Sequence, residues 1–262
     1  MPFSRRSLLQ NCTSFAVYAL VAELAHAKTM AQAQGLPARR WLSLQGDLAR
    51  ALSDGTISPA DWSREVGALS KQIDLESLAH ELRRARIKDA GAPFGHDPQK
   101  RFVTILGEEK EPIKLGYGLA LFDFGPESVI TPHAHRYMAS AHMVIEGRLR
   151  VRTFDRVKSE DKFLVLRATK DLVAEPGHFA AMSEASDNIH WFAPRSQRAM
   201  TMDVIIDGLP SNVFAGERLS QGKERYLIEP VYPLGGRQLA DGTILAPLIS
   251  FEQSMERYRA SD

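Results

Sequence analysis

Thr131-Pro132-His133-Ala134-His135, and after it His142-Met143-Val144-Ile145-Glu146-Gly147-Arg148-Leu149-Arg150-Val151, carry the reading of this chain. Strand side chains alternate in direction with period two, so His133 and His135 point to one face of a strand. Asn188-Ile189-His190-Trp191-Phe192 brings a third imidazole from another strand. Three neutral nitrogen donors grouped on one side of an ion leave coordination positions open. Open positions make a catalytic rather than a structural metal site. His133, His135 and His190 are therefore the candidate metal ligands.

Short strand-like runs extend outward from this stretch. They include Phe102-Val103-Thr104-Ile105-Leu106, Leu119-Ala120-Leu121-Phe122, Leu149-Arg150-Val151-Arg152-Thr153-Phe154 and Met200-Thr201-Met202-Asp203-Val204-Ile205. Turn signals such as Glu146-Gly147 and Glu175-Pro176-Gly177 separate them. Many short strands with turns between them predict an antiparallel sandwich or barrel. Before residue 88 the period is helical. Ser58-Pro59-Ala60-Asp61 reads as an N-cap with proline at the first helical position, followed by Trp62, Val66, Leu69 and Ile73 at helical spacing. Asp74-Leu75-Glu76-Ser77 opens another helix, which carries Leu78, Leu82 and Ile87. Residues 91–98, rich in Gly and Pro, form a loop at the boundary. From residue 235 the sequence is loop-like, with a last helix around 251–259.

His133-Ala134-His135, the Glu146-Gly147 turn, the Pro176-Gly177 turn and the His190 strand, in that order, resemble the two metal-binding motifs of the cupins. The resemblance implies a mainly β, double-stranded β-helix (jelly-roll) barrel over residues 96–234, preceded by a helical segment over 28–95 and followed by a tail over 235–262. Most metal cupins add a glutamate soon after the histidine pair. Here Arg136-Tyr137-Met138-Ala139-Ser140-Ala141 offers no carboxylate, which leaves a site of three histidines. Within the cupins this pattern is similar to the thiol dioxygenases that act on cysteamine or N-terminal cysteine. Arg150-Val151-Arg152-Thr153-Phe154-Asp155 and Met202-Asp203-Val204-Ile205 add to that likeness. The tyrosine that follows the aspartate strand in that family has no match at Asp207-Gly208-Leu209-Pro210. The resemblance implies Fe(II) as the metal. Imidazole ligands alone suit iron, Zn, Cu and Ni alike, with Mn a further candidate.

Four further residues are candidates for the chemistry. Arg136 and Tyr137 adjoin the ligand pair and are candidates to contact a substrate carboxylate or a bound oxygen species, against lining the barrel mouth without a role. His142 lies on the same strand face as Ser140. It reads as a base beside the ligands, a buried hydrogen-bonded residue or a fourth ligand, in that order. Asp203 is placed either to orient an imidazole through its free N–H or to face solvent. His178 reads as structural. Each ligand imidazole binds metal only when neutral, which predicts falling metal affinity below about pH 6.5.

Three functions of different class follow: an iron-dependent oxygenase acting on a small thiol, a metal cupin with isomerase, lyase or hydrolase chemistry at a Lewis-acidic ion, and a non-catalytic cupin that binds a small ligand. The chain has 262 residues, 33 basic and 32 acidic, so no global field draws it to nucleic acid or to a membrane surface. The expected partners are a small-molecule substrate and, for assembly, a second copy in a homodimer. At the front, Ser4-Arg5-Arg6-Ser7-Leu8-Leu9, a moderately apolar run over 12–22 and Ala25-His26-Ala27 resemble a twin-arginine export signal over residues 1–27. The run is too short to span a bilayer, so no stable membrane anchor is expected. This implies a periplasmic or secreted protein beginning near Lys28. The single cysteine, Cys12, falls inside that signal, which excludes a disulfide framework and cysteine chemistry from the mature chain.

Overall fold

Ser58 accepts a hydrogen bond from the Asp61 N–H through its hydroxyl (3.1 Å) and starts the helix Pro59–Ser70 as the capping pattern predicts. Asp74 caps the next helix, Leu75–Arg84, by accepting from the N–H groups of Glu76 (2.9 Å) and Ser77 (3.2 Å). In the computed structural model, which describes residues 35–210 and 226–262, a longer helix precedes both, Ala38–Ser53. These are α1 (Ala38–Ser53), α2 (Pro59–Ser70) and α3 (Leu75–Arg84). The Arg5-Arg6 pair, Cys12 and Ala25-His26-Ala27 lie outside the described residues. No helix among the described residues is long and apolar enough to cross a membrane.

Among the described residues thirteen strands follow: β1 (Arg86–Asp89), β2 (Gln99–Thr104), β3 (Gly118–Phe124), β4 (Ile130–Arg136), β5 (Met138–Glu146), β6 (Leu149–Glu160), β7 (Phe163–Ala174), β8 (Phe179–Met182), β9 (Ile189–Pro194), β10 (Ala199–Asp207), β11 (Leu227–Pro230), β12 (Arg237–Gln238) and β13 (Ile244–Pro247). A short helix, α4 (Phe251–Arg257), closes the chain. One sheet runs β1-β2-β3-β10-β5-β8 and the other β11-β4-β9-β6-β7-β13-β12, all pairs antiparallel. Taking β3 to β10 as eight strands, one sheet holds the first, eighth, third and sixth, and the other the second, seventh, fourth and fifth. That interleaving is a jelly roll, so the fold is the double-stranded β-helix that the motif order implies.

The three helices pack on the outer face of the first sheet. Trp41, Leu48, Trp62 and Leu69 are buried against Ala139, Ala141, Met143, Met202 and Val204. Alternation explains the choice: the odd-numbered residues of β5 are small or apolar and face the helices, while Ser140, His142 and Val144 face inward. Each large apolar side chain buried there contributes roughly 1.5–3 kcal/mol. Tyr117 locks the layer by donating to the Leu42 carbonyl (3.1 Å). The helical front thus covers a sheet, not a barrel mouth. Between the sheets, Phe124, Val144, Leu149, Val151 and Phe192 fill one end of the barrel and leave the other open.

Two sequence boundaries shift. The helical pattern extended to residue 87, yet Arg86–Asp89 pairs with β2, exposed along its whole length. The tail after residue 235 has a loop-like sequence, yet β13 pairs with β7 and extends the second sheet. Runs of four residues carry too little periodicity to be seen without their partner strand. The Glu146-Gly147 turn behaves as read: Gly147 has φ +69°, and a Cβ there would lie 2.1 Å from the Arg198 carbonyl oxygen.

Candidate metal centre

His133 and His190 stand opposite each other in the register of β4 and β9, and His135 follows His133 on the same face. All three come from one sheet. Their ring centroids are 4.3–4.9 Å apart, and one ligand nitrogen from each lies within 4.8 Å of the others. The strand carrying the pair is held in place by Asn188, whose side-chain amide donates to the His135 carbonyl (2.8 Å) and the Ser183 carbonyl (3.2 Å).

The donor set fits a divalent ion. His133 Nδ1 lies 2.7 Å from the Thr131 carbonyl oxygen, which can only accept, so Nδ1 carries the proton and Nε2 keeps its lone pair. That Nε2 lies 2.9 Å from His135 Nε2. Two nitrogens bound to one ion at ~2.0–2.1 Å and at a right angle stand about 3 Å apart, so the spacing suits shared coordination. His190 is buried, its ring beside the Asn188 backbone. Burial favours the neutral rings throughout. It pushes His133 down to about 4, against a smaller upward effect of its bond to Thr131. Burial also carries His135 and His190 well below the ordinary range, with neighbouring histidines adding to it. The expected loss of metal affinity below about pH 6.5 therefore moves to more acid pH, because desolvation disfavours the imidazolium.

The facing sheet supplies the other wall. His142 and Asp203 are register partners on β5 and β10, and Asp203 Oδ2 pairs with His142 Nδ1. Asp203 Oδ1 accepts from the Thr201 hydroxyl (2.9 Å). The His142 ring packs beside His190 (5.4 Å between centroids) and edge-on to Phe192 (4.8 Å). His142 stands outside the three-nitrogen cluster and beside it. A cavity of about 340 Å³ opens from the histidines and is lined by Phe122, Ile130, Met138, Ser140, His142 and Asp203 among others.

Arg136 and Tyr137 are placed elsewhere. Arg136 forms a two-pronged pair with Glu229 on β11 (2.7 and 2.9 Å), and Arg156 holds the same carboxylate. Strand parity sends residue 136 to the face opposite 133 and 135. Tyr137 has φ +64° at the junction of β4 and β5, where its N–H donates to the Glu184 carboxylate (2.6 Å). Neither lines the cavity. His178 accepts from the Glu175 N–H (2.9 Å) and fastens the Pro176-Gly177 turn, a structural role. Arg150 pairs with Asp171 on the outer face of β6. Lys100 and Asp97 also line the cavity, and sequence reasoning missed both. A lysine and an aspartate beside a loop read as solvated charges until the strands show which face they take.

The strand order defines a double-stranded β-helix of jelly-roll type, and the three-histidine cluster is its candidate metal centre. No family model matches the sequence, and no curated protein matches it. Among solved structures, a recombinant oxalate oxidase in complex with glycolate is similar at 19% identity and a TM-score of 0.32, over 45% of this chain and 55% of that one. KdgF from Halomonas sp. is similar at 14% identity and a TM-score of 0.31, over 45% of this chain and 84% of that one. An uncharacterized conserved protein with a double-stranded beta-helix domain from Klebsiella pneumoniae subsp. pneumoniae MGH 78578 is similar at 13% identity and a TM-score of 0.30, over 47% and 81%. The chain thus spans about half the length of the oxalate oxidase it resembles.

Proposed function

We propose that this protein is a non-haem iron cupin that oxygenates a small thiol. The observation that carries the reading is the cluster of His133, His135 and His190, with no carboxylate among the three, opening into a cavity of small-molecule size. His133, His135 and His190 would hold a divalent ion through their neutral imidazoles, and that ion would supply the activation of dioxygen beside the thiol. Addition of both oxygen atoms to sulfur converts a thiol to a sulfinic acid with no further co-reactant. The chain's own residues do the rest. Asp203 fixes the His142 ring beside His190. Phe122, Ile130, Met138 and Ile205 keep water from the wall against which the substrate lies.

The test is oxygen consumption by Fe(II)-loaded protein on adding small thiols, with the sulfinate identified by mass spectrometry. If the loaded protein consumes no oxygen with any of them, the Lewis-acid or ligand-binding reading replaces this one, and the metal site stands. Export by the twin-arginine route belongs to the same proposal. Replacing Arg5 and Arg6 by lysine should hold the full-length precursor in the cytoplasm, and unchanged fractionation would refute it.

A further inference from the structure

Lys100 is a half-buried cation on the cavity wall, and the metal reading leaves it without a task. It lies on β2, opposite Phe122 in the register with β3, and lines the same cavity as the three histidines. Its Nζ stands 5.3 Å from the ring centroids of both Phe102 and Phe122. Among the described residues that nitrogen has no hydrogen bond or salt bridge, although the Lys100 carbonyl accepts from the Ala90 N–H (3.0 Å). An ammonium partly shielded from water and without a hydrogen-bonded anion is a ready partner for an incoming one, and cation–π contacts meet only part of that need. Burial holds its pKa below the ordinary lysine range, while the charge of Asp203 acts the other way. Asp203 is already engaged by His142 and Thr201. Asp97, the other carboxyl on the wall, is pushed up to about 6 by burial, so its negative charge is weakened.

We infer that Lys100 binds the carboxylate of a small acid whose other end faces His133, His135 and His190. The cavity then selects carboxylate-bearing molecules over amine-bearing ones of the same length. This deepens the reading of the cavity as a metal-dependent substrate site and rests on it. The physical reason is charge: Lys100 and a divalent ion both attract an anionic tail and repel an ammonium. Lysine suits this task as a compact point charge on a stem that the two phenyl rings can pack.

The matched pair 3-mercaptopropionate and cysteamine tests it, the first ending in a carboxylate and the second in an ammonium. Binding to the metal-loaded protein is measured by calorimetry, with metal content determined on the same samples. Wild type should prefer 3-mercaptopropionate by about tenfold or more, consistent with one charge-assisted contact. Lys100→Met should lose that preference while keeping its metal, and Lys100→Arg should keep most of it. Equal binding of 3-mercaptopropionate by wild type and metal-replete Lys100→Met overturns the inference, as does a wild-type preference for cysteamine. If Lys100→Met fails to fold, Lys100→Gln is read in its place. A wild type that takes up no metal overturns the preceding proposal instead. Butyrate, which has no metal-binding head, then reads Lys100 by NMR in the metal-free cavity. Shifts lost in Lys100→Met support the carboxylate site, and equal shifts in both proteins overturn it.

Discussion

His142 and Asp203 face each other across β5 and β10, and their contact fixes the imidazole that packs beside His190. Both side chains are almost wholly buried, so the carboxylate depends on His142 and Thr201 for partners. Asp203→Asn should therefore cost about 1–3 kcal/mol of stability by leaving a buried polar group poorly matched. Because Asp203 is not a ligand, metal content should stay at the wild-type level. Denaturant unfolding and metal analysis on the same preparation check both halves.

His190→Ala should abolish metal loading with the fold retained, since it removes one of three donors from a cluster set on one sheet. His178→Ala removes only a turn fastening and should leave loading nearly intact. Stoichiometric metal in purified His190→Ala protein would contradict the ligand assignment.

The pH dependence follows from burial. His133, His135 and His190 have folded pKa values below the ~6.5 of an unfolded chain, His133 at about 4. Between those limits the unfolded chain binds more protons, so the metal-free protein loses stability as pH falls from 6.5 toward 4. Its melting temperature should drop across that window. Bound metal should survive dialysis at pH 5.5 and leave near pH 4. Half-loss of metal already at pH 6.5 is the contrary result.

Gly147→Ala places a methyl group 2.1 Å from the Arg198 carbonyl at φ +69°. The turn must open, at a cost of about 1–3 kcal/mol. Thermal unfolding reads the change directly, and an unaltered melting temperature would show that the turn yields freely.

Arg136→Ala should leave affinity for 3-mercaptopropionate unchanged while lowering the melting temperature, because Arg136 anchors β11 through Glu229 and does not reach the cavity. Calorimetry with the same ligand gives the comparison. A large loss of affinity would restore Arg136 as a substrate contact.

The histidine pair was legible because period-two alternation is a local rule: 133 and 135 share a face whatever the rest of the chain does. The same rule assigns Arg136 to the opposite face, so its nearness in sequence to the ligands was misleading. Tyr137 escaped the rule, since its positive φ breaks the alternation between β4 and β5. Lys100 was hidden for a different reason. Its strand belongs to the sheet facing the ligands, and no local pattern tells which residues of two distant strands will meet across a barrel. The strand of residues 244–247 shows the same limit, because its pairing with β7 spans some eighty residues of chain.

The three ligands hang from one sheet, whereas His142, Asp203 and Lys100 hang from the other. Under the proposed function, drift in the second sheet would retune which molecule is accepted while the first kept its three histidines in place. A lineage carrying this barrel would then change its diet without rebuilding its engine.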